Sequence, residues 1–295
     1  MHRARLGILR ARTWLSVAAL LAATGLASPA MALQADSPGS GWRLLNLPVG
    51  VTSISREIYG LHMMAFWVCV AIGILVFAVM IWSIVFHRKS RGVVADVTLT
   101  HNTTVELIWT TIPVLILIGM AIPTARGIVM MGNDAHSQLD IKVTGFQWGW
   151  QYTYPTLGVS FVSKLDDRSA AASELDSGIS PYSVPHYLRN VDHPLVVPVG
   201  TKIRLLIGAV DVIHSWWVPD FGIKKDAIPG YINQSWFEVD ADKPGVYRGQ
   251  CAELCGRGHG YMPIVVDAVS KADFQAWAKR EAAAEKAAAA GASSS

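Results

Sequence analysis

Four residues able to bind a soft metal crowd one short loop near the C-terminus, CAELCGRGHGYM: Cys251, Cys255, His259 and Met262. Thiolate and thioether sulfur suit copper(I), and imidazole suits copper in either oxidation state. A blue-copper site takes one Cys, one His and one Met from such a loop, with a second His from the end of an earlier strand. His214, which follows IRLLIGAVDVI and precedes SWWVP, qualifies as that second His. The loop carries one thiolate more than a single copper needs, and two neighbouring thiolates can bridge two metal ions. Each ion would then take one imidazole, from His214 and His259. Met262 could complete one shell and a backbone carbonyl near Glu253 the other. Two other readings of the same residues stand. Zinc accepts a Cys₂His₂ set, but Met is a poor zinc ligand and this loop holds one His. A Cys251–Cys255 disulfide suits an oxidising compartment. The remaining cysteine, Cys69, lies in an apolar run and reads as a small core residue.

The elements that must position these residues are β-like from about residue 136 onward. DIKVTGFQWGWQYTYP, HPLVVPVGTKIRLLIGA, QSWFEVDA, GVYRGQC and YMPIVVDA are strand-like runs cut by Gly and Pro at short intervals, which predicts an all-β sandwich or barrel. Residues 156–193 are irregular and read as a surface excursion of that domain. Ser270 and Asp273 have the spacing of a capping box, which opens a short helix to about Lys286 ahead of a disordered Ala/Ser tail.

The composition asks for a membrane. The 295 residues are 52% hydrophobic and 16% charged, against about 25% charged in a soluble domain. Met64–Phe86 carries no charge and as a helix reaches roughly 35 Å, enough for a bilayer core of about 30 Å. Leu107–Ala125 is a second apolar run, with Pro113 and Pro123 inside it; prolines are tolerated where neighbouring groups re-satisfy the freed carbonyls. Arg88, Lys89 and Arg91 follow the first run and place the connecting loop in the cytoplasm, so both flanking segments face outward. The N-terminus agrees. Arg3, Arg5, Arg10 and Arg12 precede WLSVAALLAATGLA and then Ala30-Met31-Ala32, the pattern of a secretory signal cleaved after Ala32; the alternative is an uncleaved third membrane anchor, for which the run is short. Removing four arginines from a net charge of +3 leaves −1, which excludes a strong nucleic-acid patch. The expected order is a signal peptide at 1–32, an extracytoplasmic lead-in at 33–63, a transmembrane helix at 64–86 and a cytoplasmic loop at 87–106. A second transmembrane helix at 107–126, a periplasmic domain at 127–269 and a C-terminal helix and tail at 270–295 complete it.

GFQWGWQYTYP, DVIHSWWVPDFGIKKDAIPG, NQSWF and GQCAELCGRGHGYMPIVV, behind two membrane helices, resemble subunit II of the haem–copper cytochrome c oxidases. The resemblance covers nearly the whole chain after the signal. It implies a membrane α-helical hairpin joined to an all-β, cupredoxin-like Greek-key sandwich that carries the binuclear CuA centre. By matching positions the ligands are His214, Cys251, Glu253 through its carbonyl, Cys255, His259 and Met262. The implied reaction is electron transfer from cytochrome c to the haem of subunit I, where oxygen reduction and proton pumping occur. The implied partners are subunit I, subunit III, cytochrome c and lipid, with no nucleic acid, in a bacterial inner membrane. The Glu253 side chain would share a magnesium or manganese ion with subunit I.

The same match singles out three further residues. Phe146, Trp148, Trp150, Tyr152 and Tyr154 alternate, so one ideal strand would put them on one face; of these the family makes Trp148 the residue that accepts electrons from cytochrome c. Asp211 falls where an acidic residue would dock a basic cytochrome. Glu106 falls at the mouth of a proton path into subunit I, although its spacing from Thr103 also suits a helix cap. The chain departs from the family at Phe146 (often His), Gly149 (often Tyr) and Tyr231 (often basic), none of them a ligand. Two rivals remain: a membrane-anchored, disulfide-bonded binding domain, and a copper domain that serves another reductase such as one for nitrous oxide.

Overall fold

The computed structural model describes residues 45–92, 94, 98 and 100–292. The expected signal peptide and most of the lead-in lie outside the described residues. The chain divides into a unit Met1–Asn46, of which Leu45 and Asn46 are described, and a unit Leu47–Ser295 that holds every element named below.

Helix α1 runs Ser53–Phe86 and helix α2 runs Thr103–Met131. Their apolar stretches bury nothing inside the chain, and side chains such as Phe77, Trp82, Leu117 and Ile118 stand bare, as lipid-facing residues must. Helix α1 begins at Ser53 rather than Met64. Its 34 residues span about 51 Å, well beyond a bilayer core of about 30 Å, so its first turns are free to pack outside the apolar run, where Ile54 and Ser55 are buried. The reason is local: Thr52 caps the helix and forms a reciprocal capping box with Ser55. At the other end of the hairpin Asn102, not Thr103, caps α2. Its side chain accepts from the amides of Thr104 and Val105, both at 3.1 Å. Glu106 reaches back to the Asn102 amide at 3.2 Å.

The sandwich has two five-stranded sheets, ordered β3-β2-β1-β5-β8 and β4-β10-β9-β6-β7. The strands are β1 (Leu139–Phe146), β2 (Gly149–Tyr154), β3 (Val159–Ser163), β4 (Leu195–Pro198) and β5 (Ile203–Ala209). They continue as β6 (His214–Val218), β7 (Ile223–Ala227), β8 (Asn233–Phe237), β9 (Gly245–Cys251) and β10 (Pro263–Val269). Strand β1 pairs parallel with β5, and β10 parallel with β4; the other neighbours are antiparallel. Side-chain alternation sends Ile141 and Val143, Trp150, Tyr152 and Tyr154, and Ile203, Leu205 and Ile207 inward from the first sheet. Trp216, Val218, Ile264 and Val266 meet them from the second. The excursion between β3 and β4 contains a short helix α3 (Asp167–Ser173) capped by Asp166. Helix α4 runs Lys271–Ala292. Ser270 caps it through the Asp273 amide at 3.1 Å, and Phe274 and Trp277 pack on Tyr154. It extends past Lys286 into the expected tail because alanine is the strongest helix former.

Both outer helix ends are fastened to the sandwich. Thr52 Oγ1 donates to the Phe221 carbonyl at 2.8 Å, Val51 donates to Asp220 at 2.9 Å and accepts from Asp240 at 3.0 Å. Arg56 pairs with Asp240 through two nitrogens. Beyond α2, Lys202 Nζ donates to the carbonyls of Asn133 and Ala135, each at 2.8 Å, and lies 4.2 Å from the centre of the Trp236 ring. Trp236 Nε1 in turn donates to the Met130 carbonyl at 3.3 Å. Replacing Thr52 by Ala removes a buried cap and an inter-element bond together. It should cost about 1–2 kcal/mol, read as a lower unfolding midpoint of the detergent-solubilised chain; an unchanged midpoint would remove Thr52 from the joint.

Candidate metal centre

Strand pairing builds the centre. Cys251 ends β9 and lies opposite Trp216 of β6, so it stands beside His214, the first residue of β6. The chain then loops back to β10, and Met262 immediately precedes that strand. His214, Cys251, Cys255 and Met262 are all buried. A ring nitrogen of His214 and the two thiol sulfurs lie within 4.8 Å of one another. The sulfurs are 3.8 Å apart. Cys255 Sγ is 3.6 Å from His259 Nδ1 and 3.5 Å from Met262 Sδ. Cys251 Sγ is 3.3 Å from the Glu253 carbonyl oxygen, while the Glu253 side chain is exposed. The structure thus gathers all six expected ligand positions around one pair of sulfurs.

Two features fit this set to metal rather than to an ordinary core. His214 Nδ1 is buried with no hydrogen-bond partner, a costly condition unless the lone pair is used. The thiols also have opposed acidities. Burial disfavours ionisation of Cys251, yet the neighbouring His214 ring and hydrogen bonds with backbone at Ser215 and Glu253 outweigh it and pull its pKa down. Burial and the adjacent Cys251 sulfur push the Cys255 thiol up. Two thiolates this close repel unless cations lie between them. Two sulfurs, two imidazoles, a thioether and a carbonyl form a soft donor set that suits copper better than zinc.

The aromatic stripe breaks in two. Strands β1 and β2 reverse at Gln147–Trp148, with Phe146 paired to Gly149. Trp150, Tyr152 and Tyr154 share the buried face of β2, but Trp148 sits on the turn, because alternation of faces holds only within one strand. There it covers the cysteine loop. Trp148 Nε1 donates to the Cys255 carbonyl at 3.1 Å, and Gln147 Nε2 donates to the same oxygen at 2.8 Å. A Cβ at Gly258 would lie 2.3 Å from the Trp148 ring, so that residue must be glycine for the indole to lie flat on the loop. Arg257 stands 5.8 Å from the ring centre. Gln147 and Trp150, whose Nε1 donates to the Met262 carbonyl at 3.2 Å, escape a search for ligands by type, since each acts on backbone. The departures at Phe146 and Gly149 form a matched pair: the Phe146 ring fills the space, 2.6 Å away, where a Cβ at position 149 would go.

Asp211 lies next to the centre with its carboxylate engaged. It accepts from His214 Nε2 at 2.9 Å and from the Val212 and Gln147 amides at 2.7 Å each. Burial would raise its pKa, but these donors hold it below the usual carboxylate value. Burial would lower the His214 pKa, and the neighbouring Cys251 sulfur and the hydrogen bond to Asp211 raise it instead. Glu106 belongs to a different place, the N-terminus of α2 at the far end of the hairpin.

Comparison with known proteins agrees along most of the chain. The family model for the cytochrome c oxidase subunit II periplasmic domain matches residues 139–269, and that for the subunit II transmembrane domain matches residues 40–126. A probable cytochrome c oxidase subunit 2 of Rickettsia prowazekii (strain Madrid E) is 38% identical over 237 residues, 80% of this chain and 71% of the relative. The cytochrome c oxidase subunit 2 of Cereibacter sphaeroides is 34% identical over 273 residues, 88% of this chain and 87% of the relative. Among solved structures, the periplasmic domain of subunit II of cytochrome oxidase (CoxB) of Bradyrhizobium japonicum is 37% identical. It covers 50% of this chain and 96% of its own, with a TM-score of 0.43.

The opposed thiol acidities give an ordering. In the metal-free chain, raising the pH ionises Cys251 while Cys255 is still protonated, so a small alkylating reagent should label Cys251 first. Peptide mass spectrometry across a pH series reads the order, and equal labelling rates at neutral pH would contradict it.

Proposed function

The chain belongs to the cytochrome c oxidase subunit II family, and from that membership we propose that it receives electrons from cytochrome c at a binuclear CuA centre and delivers them to the haem of subunit I. It is part of a haem–copper oxidase, with two membrane-spanning helices and a cupredoxin-like domain whose His/Cys site fits a CuA-type centre. The observation that carries the proposal is the pair of buried sulfurs 3.8 Å apart with His214 beside them. Cys251 and Cys255 would bridge, His214 and His259 would each supply a nitrogen, and Met262 and the Glu253 carbonyl would complete the set. When bound, a copper pair would supply a one-electron acceptor and donor. The residues of this chain shield the site from water, fix the donor atoms and connect them to the surface.

Trp148 is the surface contact in this reading. Half-buried and bonded to the Cys255 carbonyl, its indole offers a short hydrogen-bonded route from a docked cytochrome to the sulfur-bearing loop. Glu106, held against the first amides of α2, would face the proton path into subunit I. The exposed Glu253 carboxylate would meet subunit I and share a magnesium or manganese ion there. The positive-inside loop and the family support a bacterial inner membrane with the sandwich in the periplasm and subunits I and III alongside.

Three measurements test this function. The purified native complex should hold two CuA copper atoms per copy of this chain, with near-infrared absorption, and should release two free thiols on metal removal; one metal, none, or a Cys251–Cys255 disulfide in the loaded chain would sink the proposal. Trp148→Ala should slow reduction by cytochrome c by an order of magnitude or more with the copper spectrum intact, and unaltered kinetics would take the indole off the route. Glu106→Ala should leave copper reduction alone and slow proton delivery during turnover, whereas normal turnover would return the residue to a capping role.

A further inference from the structure

We propose that Asp211 is a positioning residue for the metal centre: its carboxylate orients the His214 ring for binding and ties that ring to the turn carrying Trp148. The proposal rests on the copper reading above. A buried imidazole has two ring nitrogens to account for. At His214, Nε2 meets Asp211 Oδ1 at 2.9 Å, and Nδ1 is left buried without a partner. A carboxylate facing Nε2 keeps the proton there and leaves the Nδ1 lone pair free. It also makes the ring a better donor to a metal. His214 is wholly buried, so water cannot take over either role.

The other contacts of Asp211 extend its reach. Oδ2 accepts the Gln147 amide at 2.7 Å, and Oδ1 also accepts the Val212 amide at 2.7 Å. Gln147 is the residue whose side chain, with Trp148 Nε1, grips the Cys255 carbonyl. One carboxylate therefore joins the histidine from β6, the reversal between β1 and β2, and through that reversal the cysteine loop. Asp211 is exposed at the surface, and three donors of its own chain meet its two oxygens there.

The test uses the full-length chain in its native complex, with Asp211→Asn and Asp211→Leu. Asn keeps one acceptor oxygen but presents an amide to the Gln147 N–H; Leu removes every acceptor. Copper retention against a copper(I) chelator should weaken by about 10–100-fold, the loss typical of a missing partner behind a ligating histidine, and the near-infrared band should move. In the metal-free chain, nitrogen NMR should show the His214 proton on Nε2 in the unaltered protein and a tautomer mixture in Asp211→Leu. If the Leu variant does not fold, Asp211→Asn carries the test through its spectrum and copper retention. Copper retention, spectrum and tautomer all unchanged would overturn the proposal. So would an effect confined to the Michaelis constant for cytochrome c and its salt dependence, which would make Asp211 a docking residue. An unaltered complex without CuA copper would instead defeat the functional reading, and the tautomer measurement would still judge Asp211.

Discussion

Two backbone pairings, Trp216 with Cys251 and Trp217 with Gln250, hold β9 against β6, and the centre depends on them. They bring the end of one strand beside the beginning of another, so a sulfur and an imidazole far apart in sequence become neighbours. Side chains alternate with a period of two, so a slip of one residue would turn Cys251 away from His214 and out of the site. The register is fixed by what lies behind it: Trp216 and Val218 of β6 and Ile264 and Val266 of β10 are fully buried. Core packing, rather than the ligands themselves, sets where the donor atoms stand before any metal arrives.

Around that junction the chain uses backbone oxygens as handles. The Cys255 carbonyl takes two side-chain donors, the Met262 carbonyl takes Trp150, and the Glu253 carbonyl faces Cys251. Side chains that never touch the donor atoms thereby fix the path of the loop that carries them. The result is a buried site with few ways to relax, the condition under which gaining or losing a charge disturbs its surroundings least.

Much of the site was legible from residue type and spacing, because Cys251, Cys255, His259 and Met262 are close in sequence and soft in chemistry. His214 could be found as a histidine at a strand boundary. What spacing could not reveal was direction. The run from Phe146 to Tyr154 reads as one strand until a reversal at Gln147–Trp148 moves Trp148 from the core to the rim. Asp211 reads as an acidic surface residue, and only the fold turns its oxygens toward His214. The helices show the same limit. Apolar composition marks the uncharged run from Met64, and says nothing of the turns that Thr52 and Ser55 start earlier against the sandwich. Asn102 displaces Thr103 as the cap of α2 because its amide oxygen reaches two backbone donors at once.

The double attachment of the hairpin to the sandwich governs motion. Thr52 and Arg56 fix the start of α1, and Lys202 and Trp236 fix the end of α2, so no slack tether joins the β-domain to the bilayer. Such a domain is no swinging arm. The span between its buried sulfurs and the fastened ends of the two helices is a constant of the architecture.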